Sequence, residues 1–144
     1  MLCGELTGLR ALTDADIEIF EAELLADVPT RVRATGRPWV PVAPGAADSP
    51  YRQAQDPAAV VRFSVVELAT GDLAGEAVMA GIDLHNRHAE IGLVLRPACR
   101  GRHLGTDVAS LPLLEIRQLK LLPERILLGY SLGYECSPDP SWLA

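Results

Sequence analysis

The sequence has no apolar run long enough to span a membrane, and no charged start followed by an apolar stretch of the kind that directs export. We therefore expect a cytoplasmic protein without a membrane partner. Its three cysteines, Cys3, Cys99 and Cys136, are an odd number without the paired spacing of metal ligands. Reduced thiols are expected here, and neither a disulfide framework nor a metal site is predicted.

Positive charge is also scarce, since Lys120 is the only lysine and the formal net charge is −6. That balance argues against general binding to nucleic acids, which requires a basic surface. It says less about small substrates, although an acidic surface suits an amine.

The length and composition are those of one soluble domain. A chain of 144 residues with 49% hydrophobic residues can bury a sizeable core. Its composition changes near residue 110, because the lysine and two of the three tyrosines follow Leu111. We therefore divide the domain into a core of residues 1–110 and a divergent segment of residues 111–144.

The first part of the chain predicts a strand followed by a helix. Glu5–Leu12 has the partial alternation of an edge strand, and a helix from Asp14 to about Ala26 has apolar residues at helical spacing. Thr13 and Asp16 form a capping-box pattern in which aspartate replaces the usual glutamate. A second short helix is expected near Thr30, and the proline- and glycine-rich stretch Gly36–Pro57 predicts a long irregular connection.

Three antiparallel strands are predicted next. Val60–Leu68 and Leu73–Leu84 form a hairpin with its turn at Thr70–Asp72. A third strand runs from Ala89 to Leu95, with alternating apolar residues. With a helix packed on each side, this sheet predicts a mixed α+β fold.

A basic, glycine-containing loop follows that third strand. Pro97 ends the strand, since proline has no N–H for a ladder, and a helix start is expected at Thr106. The loop between them runs from Arg100 to Gly105. The arrangement of strand, loop and helix N-terminus is typical of a phosphate site, where backbone N–H groups converge on the anion.

The loop is not a Walker loop, because no Gly-Lys-Ser/Thr follows it. It is not a dinucleotide-binding fingerprint either, because its glycines lack the Gly-x-Gly-x-x-Gly spacing. It resembles the pyrophosphate loop of the GNAT superfamily of acyl-CoA-dependent N-acetyltransferases, Arg/Gln-x-x-Gly-x-Gly/Ala. Arg100 and Gly105 match its ends, and His103 stands where the family has its middle glycine. The likeness runs from about Leu6 to Val108 and is nearest to the ribosomal-protein N-acetyltransferase branch.

This resemblance implies a GNAT-like, mostly antiparallel sheet flanked by helices, and transfer of an acetyl group from acetyl-CoA to a primary amine by direct attack. The amine would be a protein N-terminus or a small molecule. Glu90 would be the general base, Tyr130 the general acid, and a backbone N–H near Val94 would polarise the thioester carbonyl. The implied acetyl-CoA-binding residues are Leu93, Val94 and Leu95 on the strand, and Arg100, Gly101, Arg102, His103, Leu104, Gly105 and Thr106 in and after the loop.

Other readings stay open. The side chain of His103 obstructs the loop or itself contacts a phosphate, and Pro112 must kink or end the helix near Leu111. One alternative is an inactive GNAT-like remnant, truncated or altered past Ser110, that folds partly or pairs with another chain through an unfinished sheet edge; a homodimer is one such pairing. Another is a regulatory module that binds CoA without turnover. Past Pro112, a strand is expected within Arg125–Tyr130.

Two further groups of residues are weaker candidates for a functional role. His85 and His88 flank a turn and could bind a metal or relay protons, but no third ligand accompanies them, so exposed turn residues are expected. Cys99 lies beside Arg100, where a depressed pKa would favour the thiolate. A bystander thiol is the expected role.

Overall fold

A six-stranded sheet forms the centre of the structure, a computed structural model that describes residues 1–34, 40–53, 56, 60–83, 85, 88–109, 111 and 127–128. Its strands follow each other in chain order across the sheet. The first five are antiparallel neighbours, and the last is parallel to the fifth. The strands are β1 (Leu2–Cys3), β2 (Thr7–Ala11), β3 (Val60–Glu67), β4 (Leu73–Asp83), β5 (His88–Leu95) and β6 (Leu127–Leu128).

Short helices connect these strands. α1 (Asp14–Phe20) continues into a π-helical turn (Glu21–Leu25), so helical structure extends almost to the predicted end at Ala26. α2 (Val28–Ala34) follows, and the last helix that the structure describes, α3, comprises residues 104–109 and 111. A 3₁₀ turn (Pro97–Cys99) lies between β5 and α3.

The predicted cap of α1 is present. Thr13 and Asp16 form a capping box, and the Thr13 N–H donates to the Asp16 carboxylate over 2.9 Å. α2 begins two residues before the predicted Thr30, because Pro29 is tolerated in a first helical turn. Its start is held by Asp27, whose carboxylate accepts from the Thr30 hydroxyl at 2.7 Å.

The interpretation of the first predicted strand as an edge strand is wrong. β1 lies outside β2, with Leu2 paired to Leu9. The reversal between them is closed by the Gly4 N–H, which donates to the Thr7 carbonyl over 2.8 Å. The two residues of β1 are too few to show a period-two pattern, so the sequence gave no signal for them.

The other strands agree with the expectations. The hairpin of β3 and β4 and the third antiparallel strand, β5, are all present within a residue of their predicted starts. β6 lies inside the predicted Arg125–Tyr130 strand. Pro112, Trp39 and Tyr130 lie outside the described residues.

Two apolar clusters cover the two faces of the sheet. On one face Leu104, Val108 and Leu111 of α3 pack with Leu93 and Leu95. On the other face, α1 and the π-helical turn contribute Phe20 and Leu24, which pack with Tyr51 and Leu73 and against Val94. Strand β5 therefore presents alternate residues to helices on opposite sides. Among the described residues, no helix is both long and apolar enough to cross a membrane.

Candidate functional site

The pairing of β5 with β4 determines where its backbone groups point. The Arg96 N–H donates to the Ala74 carbonyl over 2.9 Å, next to the paired residues Gly75 and Leu95. Because backbone groups alternate along an antiparallel strand, the N–H and C=O of Val94 face β4. Those of Leu93 and Leu95 face the opposite side. The polarising N–H that was predicted near Val94 would therefore have to come from Leu93 or Leu95.

That opposite side of β5 is paired over only part of its length. β6 lies beside Glu90 and Ile91, where Leu127 and Leu128 are its partners. Within the described part of the chain, no strand pairs with residues 92–95 on that side. Among the residues that the structure describes, the stretch that the sequence identified as the pantetheine contact therefore has no neighbouring strand on this side.

The loop after β5 presents a run of backbone donors. In the described ranges, none of the N–H groups of residues 101–106 has an acceptor on the protein, and the first such bond is from Asp107 N–H to the His103 carbonyl at 3.3 Å. Gly101 and His103 both have positive φ, +72° and +62°. Turns that contain left-handed residues can direct neighbouring amides toward one side and form an anion-binding concavity. The loop therefore has the donors of a phosphate site.

The two loop arginines are already paired within the chain. Arg100 donates from Nε to the Leu95 carbonyl at 3.0 Å and from Nη2 to Asp27 at 2.8 Å. Arg102 is half exposed and forms an ion pair with Glu67. Arg100 therefore anchors the loop to the strand and to the start of α2, rather than standing free to meet an anion.

His103 is exposed, and its left-handed backbone conformation is one that L-residues rarely adopt. The glycine that the resembled family has at this position would adopt the conformation freely. His103 in its place is therefore a strained residue in the loop. A Cβ added at Gly101 would meet nothing within 4 Å among the described residues. Thr106 is exposed in the first turn of α3.

The predicted general base, Glu90, is an exposed residue on β5, where it is paired with Ala80 of β4 and with Leu127 of β6. It lies on the strand that leads into the loop, as the sequence predicted. The predicted general acid Tyr130 falls outside the described residues, so its position relative to Glu90 is not defined. His85 is exposed, and no cluster of three metal-binding side chains occurs in the described part of the chain.

An ion pair with a buried carboxylate stabilises the helices beside the site. The Glu21 carboxylate, 5% exposed, accepts from Arg52 at 2.8 and 2.9 Å and from the Gly45 N–H at 2.9 Å. The Arg52 guanidinium, with help from Ser49, lowers the pKa of Glu21 to about 2. This pairing fastens the irregular connection between α2 and β3 onto the π-helical turn.

A second buried group lies on the same face of the sheet. The Tyr51 hydroxyl donates to Glu76 at 2.9 Å, and Arg62 forms an ion pair with Glu76 and lies 5.4 Å from the centre of the Tyr51 ring. Burial, and then the charge of Glu76, raise the pKa of Tyr51 well above its usual range. The phenol is therefore a fixed donor, which no pattern in the sequence indicated.

The sequence also gave no sign of the contact that fixes α3. The Asp107 carboxylate accepts from the N–H groups of Glu5, Leu6 and Thr7 at 2.8–3.1 Å, and from the Thr7 hydroxyl at 2.5 Å. Burial opposes ionisation, but these four donors prevail and lower the pKa of Asp107. The residues lie about a hundred positions apart in the chain, so only the fold brings them together.

Comparison with solved structures shows the same fold in acetyltransferases. Spermidine N-acetyltransferase from Vibrio cholerae, solved with CoA and spermine, has a TM-score of 0.66 at 19% identity over 85% of this chain and 70% of that one. A protein described as a probable acetyltransferase has a TM-score of 0.62 at 22% identity, over 89% of this chain and 73% of that one. A domain from Methanocaldococcus jannaschii has a TM-score of 0.61 at 18% identity, over 80% of this chain and 72% of that one. The predicted GNAT-like fold is thereby confirmed.

The sequence itself matches no protein-family model and no curated protein.

Proposed function

We propose that this chain is a GNAT-type N-acetyltransferase, which transfers an acetyl group from acetyl-CoA to a primary amine by direct attack. The observation that carries this proposal is the run of amides at residues 101–106 that have no acceptor in the described part of the chain, beside the stretch of β5 that no described strand covers. The fold it shares with acetyltransferases supports the assignment.

The loop fits a diphosphate in both charge and space. Backbone N–H groups at a helix start bind anions by hydrogen bonding and through the positive end of the helix dipole. The Cβ-free Gly101 has open space above it, and the Thr106 hydroxyl is exposed as one more donor. Arg100 serves this site by holding the loop in place through Leu95 and Asp27.

The open edge of β5 fits the amide-containing arm of CoA. Leu93 and Leu95 direct their N–H and C=O groups toward that edge, and an extended ligand can pair with such groups as an added strand. The Leu95 carbonyl already accepts from Arg100, so the Leu93 backbone groups and the Leu95 N–H are the ones available. We expect one of these two amides to donate to the thioester carbonyl.

Acetyl-CoA supplies an activated thioester. The amine nitrogen forms a bond to the carbonyl carbon and gives up one N–H proton, the C–S bond breaks, and the thiolate takes up a proton. Before attack the ammonium must lose a proton, and Glu90, directly or through water, is our proposed acceptor. Tyr130 remains our proposed donor to the thiolate.

The acceptor class is a primary amine, either a protein N-terminus, as in the ribosomal-protein branch that the sequence resembles, or a small molecule. One structural neighbour was solved with spermine, a small polyamine. The acidic net charge of −6 favours any cationic acceptor through long-range attraction. Pairing of two copies through a sheet edge remains a prediction for this chain.

A titration with acetyl-CoA, followed by an assay of thiol release, tests the proposal. A ligand that binds only the folded state raises the melting temperature, so saturating acetyl-CoA should do so. Thiol should then be released in the presence of spermidine or a short peptide with a free N-terminus. No melting shift would contradict the proposal, and a shift without thiol release from any amine would indicate a CoA-binding module.

A further inference from the structure

The proposed diphosphate loop is attached to the rest of the chain at its two ends. After the loop, the Asp107 carboxylate binds the β1–β2 reversal. Before it, the backbone N–H of Arg100 makes only a long contact of 3.4 Å with the Pro97 carbonyl, beyond the usual range of about 2.7–3.2 Å for such a bond. The position of this first end therefore depends on the Arg100 side chain.

The Arg100 side chain depends in turn on the start of α2. Its Nη2 donates to Oδ2 of Asp27 over 2.8 Å, and the same oxygen accepts from the Thr30 hydroxyl over 2.7 Å. The hydrogen bond from Thr30, opposed by burial and aided by Arg100, lowers the pKa of Asp27, so the carboxylate is charged at neutral pH. One carboxylate oxygen thus joins the loop to the first turn of α2.

A neighbouring ion pair shows why this contact matters more than its geometry alone suggests. Glu23 and Arg96 form a pair, at 2.6 and 2.8 Å, that lies four positions earlier in each segment. The Arg96 backbone is already fixed by the sheet, since its N–H donates to the Ala74 carbonyl over 2.9 Å. Loss of the Glu23 carboxylate would therefore leave Arg96 in place, whereas the Arg100 backbone has only its long contact.

We propose that Thr30 and Asp27 are positioning residues for the diphosphate loop and act through Arg100. In this relay, the Thr30 hydroxyl fixes the Asp27 carboxylate, and the carboxylate fixes the guanidinium. The affinity of the loop for a diphosphate then depends on an intact first turn of α2, and by reciprocity a bound diphosphate stabilises that turn. This inference rests on the proposed function for its ligand.

Removal of the Thr30 hydroxyl tests the relay at a residue of α2 rather than of the loop. Thr30→Val keeps the shape of the side chain but loses its donor. It should raise the Kd for CoA and the KM for acetyl-CoA about three- to tenfold, the net effect of one hydrogen bond, while kcat stays within about twofold. Thr30→Ser keeps the hydroxyl, so each constant should stay within about twofold of the wild-type value.

Two further chains show whether the effect passes through Arg100. In an Arg100→Met background, which lacks the guanidinium, Thr30→Val should change the Kd for CoA by less than about twofold. Glu23→Gln, the matched control, removes the charge of the neighbouring ion pair and should leave that Kd within about twofold of the wild type. A full effect of Thr30→Val in the Arg100→Met background, or an equal effect of Glu23→Gln, would overturn the relay.

The order parameters of the loop amides supply a readout that requires no ligand. In the ligand-free Thr30→Val chain, the ¹⁵N order parameters of residues 101–106 should fall below those of Thr30→Ser, toward the value of about 0.6 that marks flexible backbone. Equal order parameters in the two chains would overturn the proposal whether or not CoA binds. A wild-type chain that binds no CoA would instead contradict the proposed function, and the order parameters would still decide the role of Thr30.

Discussion

The backbone of His103 is the point at which a single residue most affects the proposed phosphate loop. A left-handed conformation destabilises the fold by about 1–2 kcal/mol at an L-residue, and glycine removes that strain. The greater backbone entropy of glycine in the unfolded chain cancels about 0.5–1 kcal/mol of this gain. We predict that His103→Gly raises the free energy of unfolding by about 0.5–1 kcal/mol in urea titrations. It should also lower the Kd for CoA, since removal of the ring opens the loop.

Gly101 provides the matched control, because it has the same sign of φ and open space for a Cβ. Gly101→Ala should destabilise the chain by about 1 kcal/mol through backbone strain alone. A stability gain from Gly101→Ala, or a loss from His103→Gly, would contradict the described loop conformation.

The lowered pKa of Glu21 leads to a prediction about how the free energy of unfolding depends on pH. Its pKa is about 2 in the folded chain, against 4.5 for the free group, so its ion pair stabilises the fold fully above about pH 4.5. That contribution is lost as the pH falls from 4.5 toward 2. We expect the difference in unfolding free energy between the wild type and Glu21→Gln to shrink over this range in urea titrations.

A difference between these two chains that stays constant from pH 5 to pH 2.5 would show that Glu21 is not held ionised by Arg52. Arg52→Gln should remove most of the same pH dependence, because that guanidinium is the largest cause of the lowered pKa.

At this scale the sequence predicted which residues form the loop but not what each one does. Arg100 and Gly105 were found because their spacing is local. The partners of Arg100 could not be found in the same way, since Asp27 lies 73 residues away and its position depends on the fold. The left-handed backbone at His103 was not predicted, because no local pattern indicates a positive φ at a histidine.

Among the structural elements, α3 depends on an attachment outside its own segment. Asp107 binds three backbone amides and one hydroxyl of the β1–β2 reversal, and Thr7 is fully buried. Asp107→Ala leaves the buried N–H and hydroxyl of Thr7 without their acceptor, so we predict a loss of about 2–3 kcal/mol in the free energy of unfolding by urea titration. Glu67→Ala, which removes the partly exposed pair with Arg102, should cost about 0.5 kcal/mol or less.

If Asp107→Ala proved as mild as Glu67→Ala, the attachment would not stabilise the fold. Gly4→Ala is a second check with the carboxylate retained, because a Cβ there would lie 2.6 Å from Asp107 Oδ2. It should also destabilise the chain, since that carboxylate would have to move.

Elements with local signals were predicted well from the sequence. The α1 cap, the β3–β4 hairpin and β5 depend on turn residues, capping residues and alternation, all of which are visible in short windows. The π-helical turn at Glu21–Leu25 was not predicted, because it keeps the apolar spacing of a helix. β1 was not predicted either, because two residues cannot show a period.

At the scale of the whole molecule, the sheet combines a closed part with an open one. β5 is paired with β4 along its length and with β6 only at Glu90 and Ile91 in the described part of the chain. The sequence predicted the fold class through its motifs, but the register that determines which backbone groups face the opening required the structure.

The account depends on the amides of residues 101–106 binding a diphosphate, and two-dimensional ¹⁵N–¹H spectra observe those amides directly. Titration of the assigned, labelled chain with inorganic pyrophosphate, and then with CoA, should shift the signals of these amides with both ligands, and those of Leu93 and Leu95 with CoA alone. Chloride at equal ionic strength is the control. Unchanged signals at residues 101–106 with saturating CoA, or shifts confined to another part of the chain, would contradict the account.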